Sequence, residues 1–268
     1  MNDLELKMVD ILKELKDRHA AVSVRAEFEA EGTKLEELLR LKEISMLAGL
    51  GLTLKIGGCE SIRDILEAKV VGVNSLVAPM VETAYSLCKY LQAVKKLFYE
   101  DELKEMEIIA NIETKTACSN LEAMLVTPEI GILKGIDIER VDLCFSLGIE
   151  DKCVNSNEIN ELVSKVIKTA KKKNLLCGIG GGVSAHSFPF FKSLPAGALD
   201  QYETRKVCFN APKALEQEPE KGILKALGFE LLWLKNKTSF YRGILTADQE
   251  RMDHIEERYL QEIVALIR

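Results

Sequence analysis

"MEIIANIET", residues 106–114, alternates like a strand and carries a carboxylate, Glu113, next to its end. Successive side chains of a strand point to opposite sides, so Ile108, Ala110 and Ile112 share one face and Ile109, Asn111 and Glu113 the other. The first face is apolar throughout. The second turns polar towards its end. In a closed barrel of parallel strands one side packs against helices, and the C-terminal ends of several strands carry functional groups into a common mouth. Other runs follow the same parity. "VSVRAEFE" sets Val22, Val24, Ala26 and Phe28 against Ser23, Arg25, Glu27 and Glu29, and "LTLKIGG" sets Leu52, Leu54 and Ile56 against Thr53 and Lys55.

Outward from this stretch, short β-type runs alternate with helical ones in units of about 25–35 residues, as βα repeats do. Strands are expected at "AAVSVRAEFE", "GLTLKIGG", "VNSLVAPMVE", "MEIIANIET", "IERVDLCFS", "NLLCGIGG" and "LDQYETRKVCF". Helices such as "KLEELLRLKEISMLAG" and "SNEINELVSKVIKTAKKK" lie between them. Seven repeats fit an open doubly wound sheet or a (β/α)8 barrel with one strand modified. The recurrence of ionisable groups at strand ends favours the barrel. The expected architecture is an α/β, modified TIM (β/α)8 barrel in a single domain over 1–268: an N-terminal helix 1–19, the barrel about 20–210, and C-terminal helices about 211–268.

Composition agrees with one sizeable core, because 47% of the 268 residues are hydrophobic and 29% charged, the balance of a globular chain. The net charge of −6, with both signs mixed, leaves no basic stripe for nucleic acid. No apolar run approaches the roughly 20 residues of a membrane span, and the charged start "MNDLELKMVDILKELK" lacks a signal-peptide core, so a cytoplasmic protein is expected. The seven cysteines are scattered without a C-x-x-C pair, which reads as reduced thiols rather than disulfides or structural zinc.

Glu113 and Asp142, from neighbouring units, form a pair of hard oxygen donors suited to octahedral Mg2+ or Mn2+, with positions left for water and a chelating substrate. An ion pair of Asp142 with Arg140 or Arg205 is the structural alternative. "LVAPMVET", then "IANIETKTACSNLEAML", then "VDLCFSLG" resemble, in order and spacing, the HpcH/HpaI aldolase and citrate lyase family of the phosphoenolpyruvate/pyruvate superfamily, over roughly Val22 to Phe209. The resemblance implies a modified (β/α)8 barrel in which Glu113 and Asp142 hold a divalent ion. It also implies a carbon–carbon lyase or aldolase that acts on a 2-keto or hydroxy-dicarboxylic acid through a metal-stabilised enolate. A citrate-lyase-like reaction on a CoA thioester and a non-catalytic keto-acid-binding or structural barrel are the alternatives.

Three places depart from the family pattern. Lys55 stands where an Arg is usual, supplying charge without a bidentate fork, and a desolvated Lys55 has Schiff-base chemistry as a second reading. "EFEAEG" replaces an "EHG"-like stretch, so Glu27 or Glu29 is the candidate base where a histidine is missing, with a salt bridge to Arg25 or Arg205 as the alternative. "IERVDL" lacks the usual Gly before Asp-Leu. For substrate binding the candidates are Glu203 and Arg205 in "YETRKV", with a barrel-closing ion pair as their alternative. Gly181, Gly182 and Ser184 in "GIGGGVSAHS" complete the list, as an anion loop or simply a tight βα turn. The tail is expected as two helices, "GILKALGFELLWLKNKTSFY" and "DQERMDHIEERYLQEIVALIR", and in the family such helices mediate homo-oligomer contacts.

Overall fold

The computed structural model describes residues 1–149 and 153–267. Eight strands close into a barrel: β1 (Ala21–Glu27), β2 (Gly51–Lys55), β3 (Ser75–Ala78), β4 (Glu107–Asn111), β5 (Gly135–Glu139), β6 (Leu176–Gly180), β7 (Gln201–Glu203) and β8 (Val207–Asn210). Neighbours from β1 to β7 pair in parallel. β8 is antiparallel to both β7 and β1. The run expected as one strand, "LDQYETRKVCF", is therefore a hairpin. The three residues between β7 and β8 are too few for a crossover helix, and only an antiparallel return can follow so short a turn.

The helices are α1 (Asp3–His19), α2 (Leu35–Leu47), α3 (Ile62–Val71), α4 (Ala84–Leu97), α5 (Glu100–Glu105), α6 (Lys115–Met124), α7 (Arg140–Ser146), α8 (Asn157–Lys171), α9 (Phe188–Ser193), α10 (Ala211–Ala214) and α11 (Pro219–Ile267). Local chemistry sets several of their starts. Asn2 and Glu5 form a reciprocal capping box on α1, and Thr114 accepts from the Ala117 amide to start α6 directly after Glu113. Their apolar faces bury Leu12, Leu38, Ile65, Leu91, Leu121 and Ile167, among others, against the outer face of the strands.

Two expectations about the chain's course change. The fifth expected strand ends at Glu139, and Asp142 lies in the first turn of α7 rather than on a strand. The C-terminal extension is not two helices but one of 49 residues, α11. No proline interrupts residues 220–267, so nothing in the backbone breaks the helix. Arg268, the last residue of the expected extension, lies outside the described residues. Among the described residues no helix is long and apolar enough to cross a membrane.

Candidate active site at the barrel mouth

The interior of the barrel is polar, and β1 begins to show why. Ser23 and Thr53 share a 2.8 Å hydrogen bond between their hydroxyls. One step along β1, Arg25 is 1% exposed and its guanidinium meets three carboxylates: Glu27 at 3.2 Å, Glu139 at 2.9 Å, and Glu203. Burial alone would depress the Arg25 pKa, but Glu139 and Glu27 outweigh it and raise it. This cluster ties β1, β5 and β7 together across the barrel.

β6 makes room for these acids by carrying no side chains at two inward positions. A Cβ on Gly178 would sit 1.9 Å from Asp137 Oδ1, and one on Gly180 would lie 2.6–2.8 Å from the Glu139 carboxylate. Asp137 is nevertheless poorly compensated. Burial, only partly offset by Arg25, lifts its pKa to about 7.

A cavity of about 480 Å³ opens at the C-terminal ends of the strands. Six carboxylates line it (Glu27, Glu29, Glu139, Asp142, Glu203 and Glu230) against three cations, Arg25, Lys55 and Arg205, so the mouth is acidic. The cations are themselves engaged. Lys55 Nζ lies 3.1 Å from Glu29 and 3.6 Å from Glu113, and Arg205 donates to Glu27 at 2.9 Å. α11 crosses the rim and contributes Leu227 and Glu230.

Glu113 is 1% exposed, is absent from the cavity wall, and reaches the cavity through Lys55. Its Oε1 accepts from the Met80 amide at 2.5 Å and its Oε2 from Asn111 Nδ2 at 3.1 Å. Burial raises its pKa, with Lys55 and the two hydrogen bonds opposing. Asp142 lines the cavity, and its pKa is raised by burial and by Glu139 while Lys55 pulls it down. Glu113 thus pairs with the Lys55 ammonium from below, and Asp142 lines the same cavity wall as Lys55. For Lys55, burial lowers the pKa but Glu113 and Glu139 prevail and raise it, so the amine is protonated.

Among the described residues no group of three or more His, Cys, Asp and Glu is placed to hold a metal. The donor chemistry still suits Mg2+ or Mn2+, because such ions take one or two carboxylates and keep several waters. Asn111 Oδ1, buried beside Glu113, has no hydrogen-bond donor, and both candidate carboxylates have raised pKa values. Oxygens here outnumber the positive charge that would satisfy them. A hard cation would fit that imbalance.

Other expected site residues are placed differently. Arg205 is not on a strand beside Glu203: it sits in the β7–β8 turn and pairs with Glu27, while Glu203 belongs to Arg25. Gly181 and Gly182 do line the mouth, with φ of +70° and +67°. A Cβ on Gly181 would come within 2.5 Å of the Arg140 amide nitrogen, so close approach of the loop to α7 requires glycine. Arg140 is fully buried and clamps that loop, donating to the Gly180 and Gly181 carbonyls at 3.1 Å each. Its commitment to the loop answers the expectation that it might pair with Asp142. Ser184 falls outside the cavity wall, its amide donating to Ser187 Oγ at 3.2 Å. Asp137 and Glu139 are the residues that sequence reasoning gave no role, and Arg25, placed on the polar face of β1, was not expected to gather three carboxylates. The alternation of "GIDIE" carried the signal, since Asp137 and Glu139 stand opposite Ile136 and Ile138.

With this geometry in hand, the family model described as HpcH/HpaI aldolase/citrate lyase matches residues 56–179, a segment holding both Glu113 and Asp142. Over that segment the chain resembles the HpcH/HpaI aldolase/citrate lyase family. That family match supports a lyase- or aldolase-type enzyme. Among solved structures, the citrate synthase SbnG aligns with a TM-score of 0.59 at 14% identity, covering 88% of this chain and 90% of its own. An HpcH/HpaI aldolase from Desulfitobacterium hafniense DCB-2 aligns at 0.57 and 15%, covering 69% and 77%. A family protein from Burkholderia cenocepacia J2315 aligns at 0.54 and 13%, covering 69% and 89%. At these identities the likeness is one of fold. No curated protein sequence matches the chain.

Proposed function

We propose that this HpcH/HpaI-like barrel is a divalent-metal-dependent carbon–carbon lyase or aldolase acting on a 2-keto or hydroxy-dicarboxylic acid. The observation that carries the reading is Glu113 paired with Lys55 beneath an acidic mouth whose wall includes Asp142. A dianionic substrate entering six carboxylates needs positive charge, and Lys55 with Arg205 is too little. Mg2+ or Mn2+, when bound by Glu113 and Asp142, supplies the positive charge that developing negative charge on a keto acid requires.

The chain's own residues divide the remaining work. Lys55, protonated and 5% exposed, neutralises the substrate carboxylate as a point charge. Arg205, half-exposed at the rim, reads a second carboxylate or hydroxyl, and Gly181 and Gly182 leave the loop backbone open to it. Glu27 is held between Arg25 and Arg205, a poor position from which to move a proton. Glu29 is the better base: it sits partly exposed at the rim with a single cation, Lys55, for a partner. Glu203, committed to Arg25, shapes the wall. A CoA thioester is the less favoured substrate, because its phosphates would meet six carboxylates and only three cations in the cavity wall.

Calorimetric titration with Mg2+ and Mn2+ tests the reading. The parent protein is expected to bind, and Glu113→Gln to lose binding and at least about a hundredfold in metal-dependent α-proton exchange of pyruvate. A parent chain that binds neither ion removes the proposal. Borohydride treatment with pyruvate is expected to leave Lys55 unlabelled, because a protonated ammonium is no nucleophile. A trapped adduct would replace the metal reading with Schiff-base chemistry.

A further inference from the structure

Lys206 is a buried ammonium that the proposed chemistry leaves unused. It sits in the β7–β8 turn, 2% exposed and outside the cavity wall, although its neighbours Thr204 and Arg205 line that wall. Its carbonyl accepts from the Arg25 amide at 2.9 Å, which ties the turn to β1. Its Nζ donates to Glu31 and stands 6.0 Å from the ring centroid of Trp233, the single tryptophan, on α11. Burial lowers the Lys206 pKa, opposed by Glu31 and then by Glu27 and Glu230. An ammonium this deep needs a lasting partner, and Glu31 is that partner. α11 packs on the barrel through its first half, where Phe229 and Trp233 are buried; past Tyr241 it runs on as an exposed arm. Lys206 therefore joins the packed half of α11 to the loop that bears Glu31.

That loop, Phe28 to Thr33, leads from β1 towards α2 and is poorly held by its own backbone. Its ends are fixed: the Phe28 amide donates to the Lys55 carbonyl at 2.8 Å and the Thr33 amide to the Glu27 carbonyl at 3.2 Å. Among the described residues, 29–32 make no backbone–backbone hydrogen bond, Glu29 and Ala30 are exposed, and Gly32 has a φ of +54°. Side chains hold the middle instead. Glu29 pairs with Lys55 at 3.1 Å, and Glu31 with Lys206, with Thr33 Oγ1 at 3.4 Å and with half-exposed Arg205 at 3.9 Å. The first tie is the one the proposed reaction loosens, because Lys55 turns its charge to the substrate carboxylate. The second then carries the loop, and a general base has to stay within hydrogen-bond reach of its proton. We propose that Lys206 is a positioning residue: packed on Trp233, it latches Glu31 and so holds the loop that presents Glu29 at the mouth while substrate occupies Lys55. The positioning role rests on the reading of Glu29 as the base; the latch itself does not.

Backbone 15N order parameters of the full chain test the latch without catalysis. They are expected to be near about 0.85 over residues 29–32 in the parent and to fall below about 0.6 in Lys206→Met, with acrylamide quenching of Trp233 emission rising in step. Glu31→Ala cuts the same tie from its more exposed end and keeps the test open should the buried substitution fail to fold. In metal-dependent α-proton exchange of pyruvate, Lys206→Met is expected to lower kcat about tenfold with KM within about twofold, and Lys206→Arg, which keeps a donor cation, to recover most of the loss. Glu31→Ala and the double variant Lys206→Met/Glu31→Ala should lose the same factor, because one tie cannot be cut twice. In a Glu29→Gln background Lys206→Met should cost nothing further. Order parameters unchanged in both Lys206→Met and Glu31→Ala, a kcat equal to the parent's, multiplied losses in the double variant, or no recovery in Lys206→Arg each overturns the latch. A Glu29→Gln variant that exchanges as fast as the parent overturns the base assignment instead, and is told apart because the loop then still loosens in Lys206→Met.

Discussion

Arg25 stands fully buried between β1, β5 and β7 with Glu27, Glu139 and Glu203 around it, so its removal strands three desolvated carboxylates. Arg25→Met is expected to cost about 3–5 kcal/mol in urea unfolding, the scale for breaking a buried ionic cluster from one side. Asp137 behaves in the opposite sense. Its folded pKa, raised to about 7 by burial, exceeds its unfolded value, so the folded state binds more protons between about pH 4 and 7. Its ionisation therefore destabilises the fold progressively as pH rises through that window, and the penalty is complete above it. Asp137→Asn should be stabilised relative to the parent by up to about 4 kcal/mol at pH 8, a gain that shrinks towards zero near pH 4. Urea midpoints across this range check it. A gain that grew on acidification would contradict the assignment.

At the scale of elements, β6 is read most easily through what it lacks. Gly178 faces Asp137 and Gly180 faces Glu139 in the β5–β6 register, and neither position has space for a methyl group. Gly178→Ala is expected to destabilise by about 1–3 kcal/mol, the cost of overpacking, and the loss should be largely relieved in Gly178→Ala/Asp137→Ala. Additive losses in that pair would mean that the contact is not what requires glycine. The run "GIGGGVSAHS" was legible as a strand followed by a glycine turn. That its first glycines serve the neighbouring strand's acids was not, because the reason sits on β5. The β7–β8 hairpin escaped for a similar reason: "LDQYETRKVCF" keeps β-type residues throughout, and the Thr204–Lys206 turn carries no Gly, Asn or Pro to mark it.

For the molecule as a whole, α11 has two halves with different duties. Trp233 is 4% exposed against the barrel, and Trp233→Ala is expected to cost about 3–5 kcal/mol. Ending the chain after Arg242 removes only the arm. That truncation should change stability by less than about 1 kcal/mol, roughly 2–4 °C in Tm by calorimetry, and leave the mouth intact. A larger loss would show that the arm supports the barrel from which it extends.

Alternation along β1, β2 and β4 pointed to a barrel with ionisable strand ends and named Lys55 and Glu113, because side-chain parity is a local property of extended chain; the family likeness came from three motifs in order and spacing. Asp142 was found for its motif but misplaced, since the step from β5 to α7 at Arg140 leaves no break in the apolar pattern. Which acid meets which base the sequence left open, offering Glu27 with Arg25 or Arg205 only as an alternative to a catalytic role. Arg25 with Glu139, Arg205 with Glu27, and Lys55 between Glu29 and Glu113 are partners on different strands and loops. Only closure of the barrel brings them within a few ångströms, where burial makes each pairing decisive.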